Sequence, residues 1–121
     1  MLFRRCPDQY DADLALDYAW KAVEDNPRLA WRQVGYGWVL YRQGRLREAR
    51  EALLRATELQ IPKPWPWGLF GLAMTEWKLG NRSEAREYYA RAVARMEQTY
   101  PRFPEFILLK EETAELLGIQ P

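Results

Sequence analysis

The chain has no histidine, one cysteine (Cys6) and one serine (Ser83). Histidine is the side chain whose ordinary pKa lies nearest neutrality and the commonest metal ligand, so its absence removes the usual general base. Ser83 falls in the first turn of an expected helix, a place where serine serves structure. Cys6 has Arg4 and Arg5 beside it, which favour a thiolate, but no base accompanies it. A single cysteine also forms no internal disulfide. No Gly-rich phosphate loop is present; the seven glycines fall at turns and helix crossings. Glu111, Glu112 and Glu115 read as the solvated face of a terminal helix, not a metal site. Together these absences speak against an enzyme and against a metal or cofactor.

Other absences bear on partners and place. No stretch approaches the ~20 apolar residues of a membrane-spanning helix. The opening Met-Leu-Phe-Arg-Arg-Cys-Pro-Asp has no apolar run behind its arginines, so it does not read as a secretory signal. The expectation is a soluble, cytoplasmic protein. Charge is abundant at 29% but nets only +1, whereas binding to nucleic acid or an anionic membrane calls for a basic excess. Arg42, Arg45, Arg47, Arg50 and Arg55 do cluster, yet Glu48, Glu51 and Glu58 interleave with them. Arg47–Glu51 and Glu51–Arg55 have the i,i+4 spacing of an exposed helix face. Neither nucleic acid nor membrane is expected as a partner.

What the chain has in excess is aromatic side chains, 14% of residues with six tryptophans. They sit within a pattern of about six helices and no strand. A helix is predicted over 11–25, with Asp11 as N-cap and Pro27 as its stop. Others are predicted over 29–43, closed by Gly44; 46–59, ended by Pro62 and Pro64; and 66–79, closed by Gly80. The fifth covers 82–98, where Asn81 and Glu84 have capping-box spacing. Pro101 and Pro104 separate it from a last helix over 105–117, closed by Gly118. Residues 1–10, with Pro7 and no periodicity, read as an irregular lead-in.

Two segments nearly repeat each other. Residues 44–56 and 80–92 share Gly44/Gly80, Glu48/Glu84, Ala49/Ala85, Arg50/Arg86, Glu51/Glu87, Arg55/Arg91 and Ala56/Ala92. A fainter copy places Ala15 and Ala22 upstream. The spacings, about 34 and about 36 residues, are those of a helical solenoid. Ala49 and Ala56, like Ala85 and Ala92, share one helix face, and Gly37 and Ala73 stand where the preceding helices cross them. Small residues on both sides of a crossing let the axes approach closely, with Leu40, Leu53, Leu72 and Tyr89 filling the flanks. A single such hairpin cannot bury its apolar face alone; stacked hairpins can.

These residues resemble the tetratricopeptide repeat. The family's small–Gly–Ala–Ala positions fall on Gly37, Gly44, Ala49 and Ala56, and again on Ala73, Gly80, Ala85 and Ala92. Gln33, where the family is usually large and apolar, and Glu76, where it is usually aromatic, depart from the pattern. The resemblance implies an all-α, right-handed solenoid of antiparallel hairpins. It would comprise a half repeat over 11–27, full repeats over 29–61 and 66–98, and a capping helix over 103–118. The runs Gly-Trp-Val-Leu-Tyr-Arg-Gln-Gly-Arg and Gly-Leu-Ala-Met-Thr-Glu-Trp-Lys-Leu-Gly, with Glu-Glu-Thr-Ala-Glu-Leu-Leu-Gly near the end, are also similar to a bacterial set. In that set, tetratricopeptide segments follow kinase or WD40-propeller regions of large planctomycete-type proteins.

In that fold the first helix of each hairpin lines a concave groove. The resemblance therefore implies groove residues Trp31, Val34, Trp38, Tyr41 and Arg42, then Trp67, Phe70, Met74, Trp77 and Lys78. Steps of three and four place the first set on one helical stripe without appeal to the family. Large aromatics with a cation at the edge are the stuff of peptide-binding hot spots. The implied function is a non-enzymatic module holding a partner peptide or domain, with a preference for apolar or aromatic segments, or for acidic ones near Arg42 and Lys78. The variant that clamps a C-terminal carboxylate is not expected, because Val34 and Phe70 stand where it needs polar groups. The competing reading makes the stripes core and the chain a spacer or dimerisation element. In the N-terminal half repeat Leu14 and Tyr18 would present an uncovered stacking face, to be covered by residues 1–10, by a second copy in a homodimer, or by another domain if the chain is a fragment of a larger signalling scaffold.

Overall fold

The computed structural model describes the backbone of residues 2–61 and 63–119, with side chains from Asp13 onward. Six helices and no strand occur among the described residues: α1 (Leu2–Asp25), α2 (Ala30–Arg42), α3 (Leu46–Leu59), α4 (Pro66–Lys78), α5 (Arg82–Thr99) and α6 (Pro104–Leu117). One boundary departs from expectation. Helix α1 starts at Leu2, so the irregular lead-in over 1–10 and the N-cap role of Asp11 are both replaced by continuous helix. Pro7 is the sixth residue of that helix, past the first turn, where proline removes one i→i−4 backbone bond.

The repeated Gly44 and Gly80 do the same work twice. Both are left-handed, with φ of 80° and 92°, and each lets the chain fold back onto the helix it has just left. At the first, Arg45 N–H donates to Leu40 O at 2.9 Å; at the second, Asn81 N–H donates to Glu76 O at 2.9 Å. These bonds satisfy carbonyls that the helix ends would otherwise leave open.

Helix α2 packs on α3 and α4 on α5, and α4 also meets α2, α3 and α6, while α1 covers α2. The small-residue crossings form as expected: Ala49, Ala56, Ala73, Ala85 and Ala92 are fully buried. Leu53 is the wedge between hairpins. A Cβ built on Gly37 would stand 2.6 Å from Leu53 Cγ, and one on Gly71 would stand 3.1 Å from Leu53 Cδ1. Helix α4 is the centre of the core, buried at every residue from Gly68 to Glu76.

The two departures from the family pattern become polar ties. Gln33 is buried and donates from Nε2 to Pro27 O at 3.0 Å, holding the α1–α2 turn. Glu76, 2% exposed, accepts from Asn81 Nδ2 at 2.7 Å and pairs with Arg50 Nε at 3.0 Å. One carboxylate thereby joins α3, α4 and the turn into α5. Asn81 makes no side-chain cap at the start of α5, and its own N–H already donates to Glu76 O, so the expected capping box is absent. A buried carboxylate needs such donors to offset lost hydration.

The same carboxylate bears on Tyr88. Burial, and then the charge of Glu76, push the Tyr88 phenol above its ordinary value; burial alone raises Tyr89. In the unfolded chain both phenols release protons near pH ~10. The unfolded state then holds fewer protons than the folded one, so stability is complete below that pH and declines as pH rises through the folded values. Tyr88→Phe removes one contribution, and its Tm is expected to fall less steeply than the wild type's above about pH 10. Parallel alkaline limbs in a calorimetric pH series would assign Tyr88 no part.

Candidate partner-binding site

The expected stripes divide. Val34 and Phe70 are fully buried, and Trp38 (7% exposed), Tyr41 and Met74 are nearly so. These five are core, which corrects their placement in a groove. The reason lies in the packing of α4 directly on α2. The Trp38 indole would be 3.2 Å from a Cβ on Gly71, and its Nε1 donates to Trp67 O at 3.2 Å. Phe70 packs in turn against Tyr89 of α5, ring centroids 6.1 Å apart. Steps of three and four fix which residues share a face, but not whether another helix covers it.

The other five remain at least partly accessible. Trp31 is 49% exposed, Trp67 and Trp77 are half-buried, and Arg42 and Lys78 are exposed. Their cations are already engaged within the chain. Arg42 stands 5.4 Å from the centroid of Trp38 and 3.8 Å from Glu112 of α6; Lys78 Nζ stands 4.8 Å from that of Tyr41. Trp77 is flanked by Arg82 at 4.4 Å and Arg86 at 5.7 Å. An acidic peptide at Arg42 or Lys78 would have to displace these contacts.

The arginine cluster pairs differently from its spacing. Arg45 meets Glu48 through two bonds of 2.8 and 3.0 Å, and Arg50 meets Glu76, whereas Arg47–Glu51 and Glu51–Arg55 form no ion pair. On α1, Tyr18 is exposed and Trp20 packs against Tyr36 at 5.4 Å. Ser83 is exposed in the first turn of α5, and the side chain of Cys6 lies outside the described residues.

The pocket that stands out lies elsewhere, between the starts of α4 and α6. It is open, holds about 500 Å³, and is lined by Trp65, Trp67, Tyr100, Phe103, Glu105, Phe106 and Leu109. Only Trp67 among these belongs to the expected stripes. The pocket is assembled by one device used twice. Trp65 precedes Pro66 and Phe103 precedes Pro104; each aromatic is the N-cap of its helix, extended at ψ 149° and 116°, with proline in the first turn. A residue before proline is held out of the helical region, so each ring stands beside its helix start. Tyr100, Phe103 and Phe106 pack on one another with centroids 4.8–6.3 Å apart. Arg95 Nε donates to Pro64 O at 3.1 Å and ties the connection to α5.

Trp65, Tyr100 (44%) and Phe103 are exposed all the same. Pockets of this size with apolar walls and a few polar groups are the usual form of a recognition site. The signal was present in the chain as the alternations Pro-Trp-Pro-Trp (64–67) and Tyr-Pro-Arg-Phe-Pro-Glu-Phe (100–106), each legible as a connection but not as half of a shared pocket. No curated protein matches the chain. Models described as tetratricopeptide repeat match residues 33–60 and residues 71–105.

Proposed function

We propose that this chain, which belongs to the tetratricopeptide repeat family, is a non-enzymatic module that holds a partner peptide in the aromatic pocket between α4 and α6. Repeats of this family generally mediate protein–protein interaction. The observation that carries the reading is the exposure of Trp65, Tyr100 and Phe103 around one open cavity. Rings of this size bury large apolar area on contact and are typical binding anchors. Of the aromatic stripe, Trp67 stands at the pocket's wall, while Trp31 is exposed on α2 and Trp77 half-buried on α4.

A second reading, as a spacer or homodimerisation element, draws support from the burial of the stripe and from exposed Tyr18 on α1. Selection from a random displayed-peptide library separates the two. Peptides that enrich on the wild type are expected to lose at least about tenfold in affinity for the Trp65→Ala, Phe103→Ala double variant. Both positions lie outside the core, so the circular dichroism spectrum and Tm should change little. Enrichment of nothing favours the spacer, and binding unchanged by the double variant removes the pocket as the site.

A further inference from the structure

We propose that the pocket's occupant is a basic side chain, lysine or arginine, offered by an otherwise apolar peptide segment; this rests on the reading of the pocket as the docking site. The chemistry of the lining is that of a cation receptor. Five aromatic rings and a leucine form its walls, and Glu105 is its only charged member. Aromatic faces carry negative charge density and attract cations, most strongly for tryptophan.

Two further observations bear on these rings and this carboxylate. Three tryptophans outside the pocket already have an arginine over the ring, Trp31 with Arg32, Trp38 with Arg42, and Trp77 with Arg82 and Arg86. Among the described residues no cation stands over any ring of the pocket. Glu105, exposed in the first turn of α6, likewise forms no ion pair among the described residues. Arg95, which ties the connection before α4 to α5, is committed to Pro64 O and to Gln98 Oε1. Arg102 and Lys63 are near in sequence but take no part in the lining. A lysine or arginine stem lies along apolar walls while its head meets charge, which matches a lining of rings with a single carboxylate. The volume of about 500 Å³ leaves room for apolar neighbours of that side chain.

The test uses two fluorescein-labelled heptapeptides, Gly-Ala-Leu-Lys-Leu-Ala-Gly and its counterpart with norleucine in place of lysine, titrated by anisotropy against the full chain. The lysine peptide is expected to bind about fivefold tighter or more, the size of a ring–cation contact joined to a partly exposed ion pair. Glu105→Gln should at least halve that ratio and leave the norleucine peptide unchanged, while Trp65→Ala, Phe103→Ala weakens both. Equal affinity of the two peptides for the wild type, with loss in the double variant, overturns the cation and leaves the pocket standing. A lysine preference indifferent to Glu105→Gln and to the double variant overturns it as well. If neither peptide binds, the cation proposal falls, and library selection decides whether the pocket falls with it.

Discussion

Trp38→Ala is expected to lower the unfolding free energy by about 3–5 kcal/mol, the range for truncating a large buried aromatic. At this chain length that corresponds to a fall in Tm of roughly 10–20 °C. The indole is 7% exposed, rests on Gly71, meets the edge of Tyr41 at 5.6 Å and donates to Trp67 O. Removing it opens a cavity between α2 and α4 and takes the second donor from a helical carbonyl, two costs of different origin. Trp38→Phe keeps most of the volume and loses the N–H, and should fall between alanine and wild type. Trp77→Ala is the control, since that ring is half-buried beneath two arginines, and its cost should stay near 1 kcal/mol. Urea unfolding of the three variants decides the matter. A Trp38→Ala protein as stable as wild type that fails to bind enriched peptides would place the ring in a groove and refute its assignment to the core.

Leu53→Ala should cost about 2–5 kcal/mol, as expected for an aliphatic side chain cut from a fully packed site. Gly37→Ala should be destabilising too, because its Cβ would lie 2.6 Å from Leu53 Cγ and 2.8 Å from Cδ2. Overpacking of that kind costs about 1–3 kcal/mol, offset by up to ~1 kcal/mol from replacing a helical glycine. The pair is the informative experiment. Truncating Leu53 vacates the space the new methyl needs, so the double variant should be no less stable than Leu53→Ala alone. A favourable coupling of about 1–3 kcal/mol is expected from the double-mutant cycle. Strict additivity would show that Gly37 and Leu53 do not share that space. An altered m-value in any variant would instead indicate a change in the unfolded ensemble or lost two-state behaviour.

The two halves of the architecture differed in how far residues alone could reveal them. Helix number, the Gly44 and Gly80 turns and the alanine crossings were legible, because each depends on local geometry or on spacing within one helix. The start of α1 was not, since Pro7 reads as a breaker when its neighbours' helical preference is ignored. Nor was the burial of Val34 and Phe70. Periodicity defines a face, while coverage depends on how closely the next hairpin approaches, and here Gly71 lets α4 come within contact of Trp38. Gln33 and Glu76 were recognisable as departures, yet their partners Pro27, Arg50 and Asn81 emerge only in three dimensions. The aromatic pocket was harder still, because it joins two connections about 40 residues apart in the chain, Trp65 with Phe103 and Trp67 with Phe106. Each looks like a linker until the helices that follow are set side by side.

The prolines behind Trp65 and Phe103 also bear on the speed of recognition. A peptide meeting this pocket finds two of its rings on backbone that proline has already confined, so little of the encounter is spent waiting for loops to order. Association should then be single-phase and limited by diffusion and orientation, in the ordinary range of about 10⁵–10⁷ M⁻¹s⁻¹. Differences in affinity among peptide sequences would accordingly appear as differences in residence time.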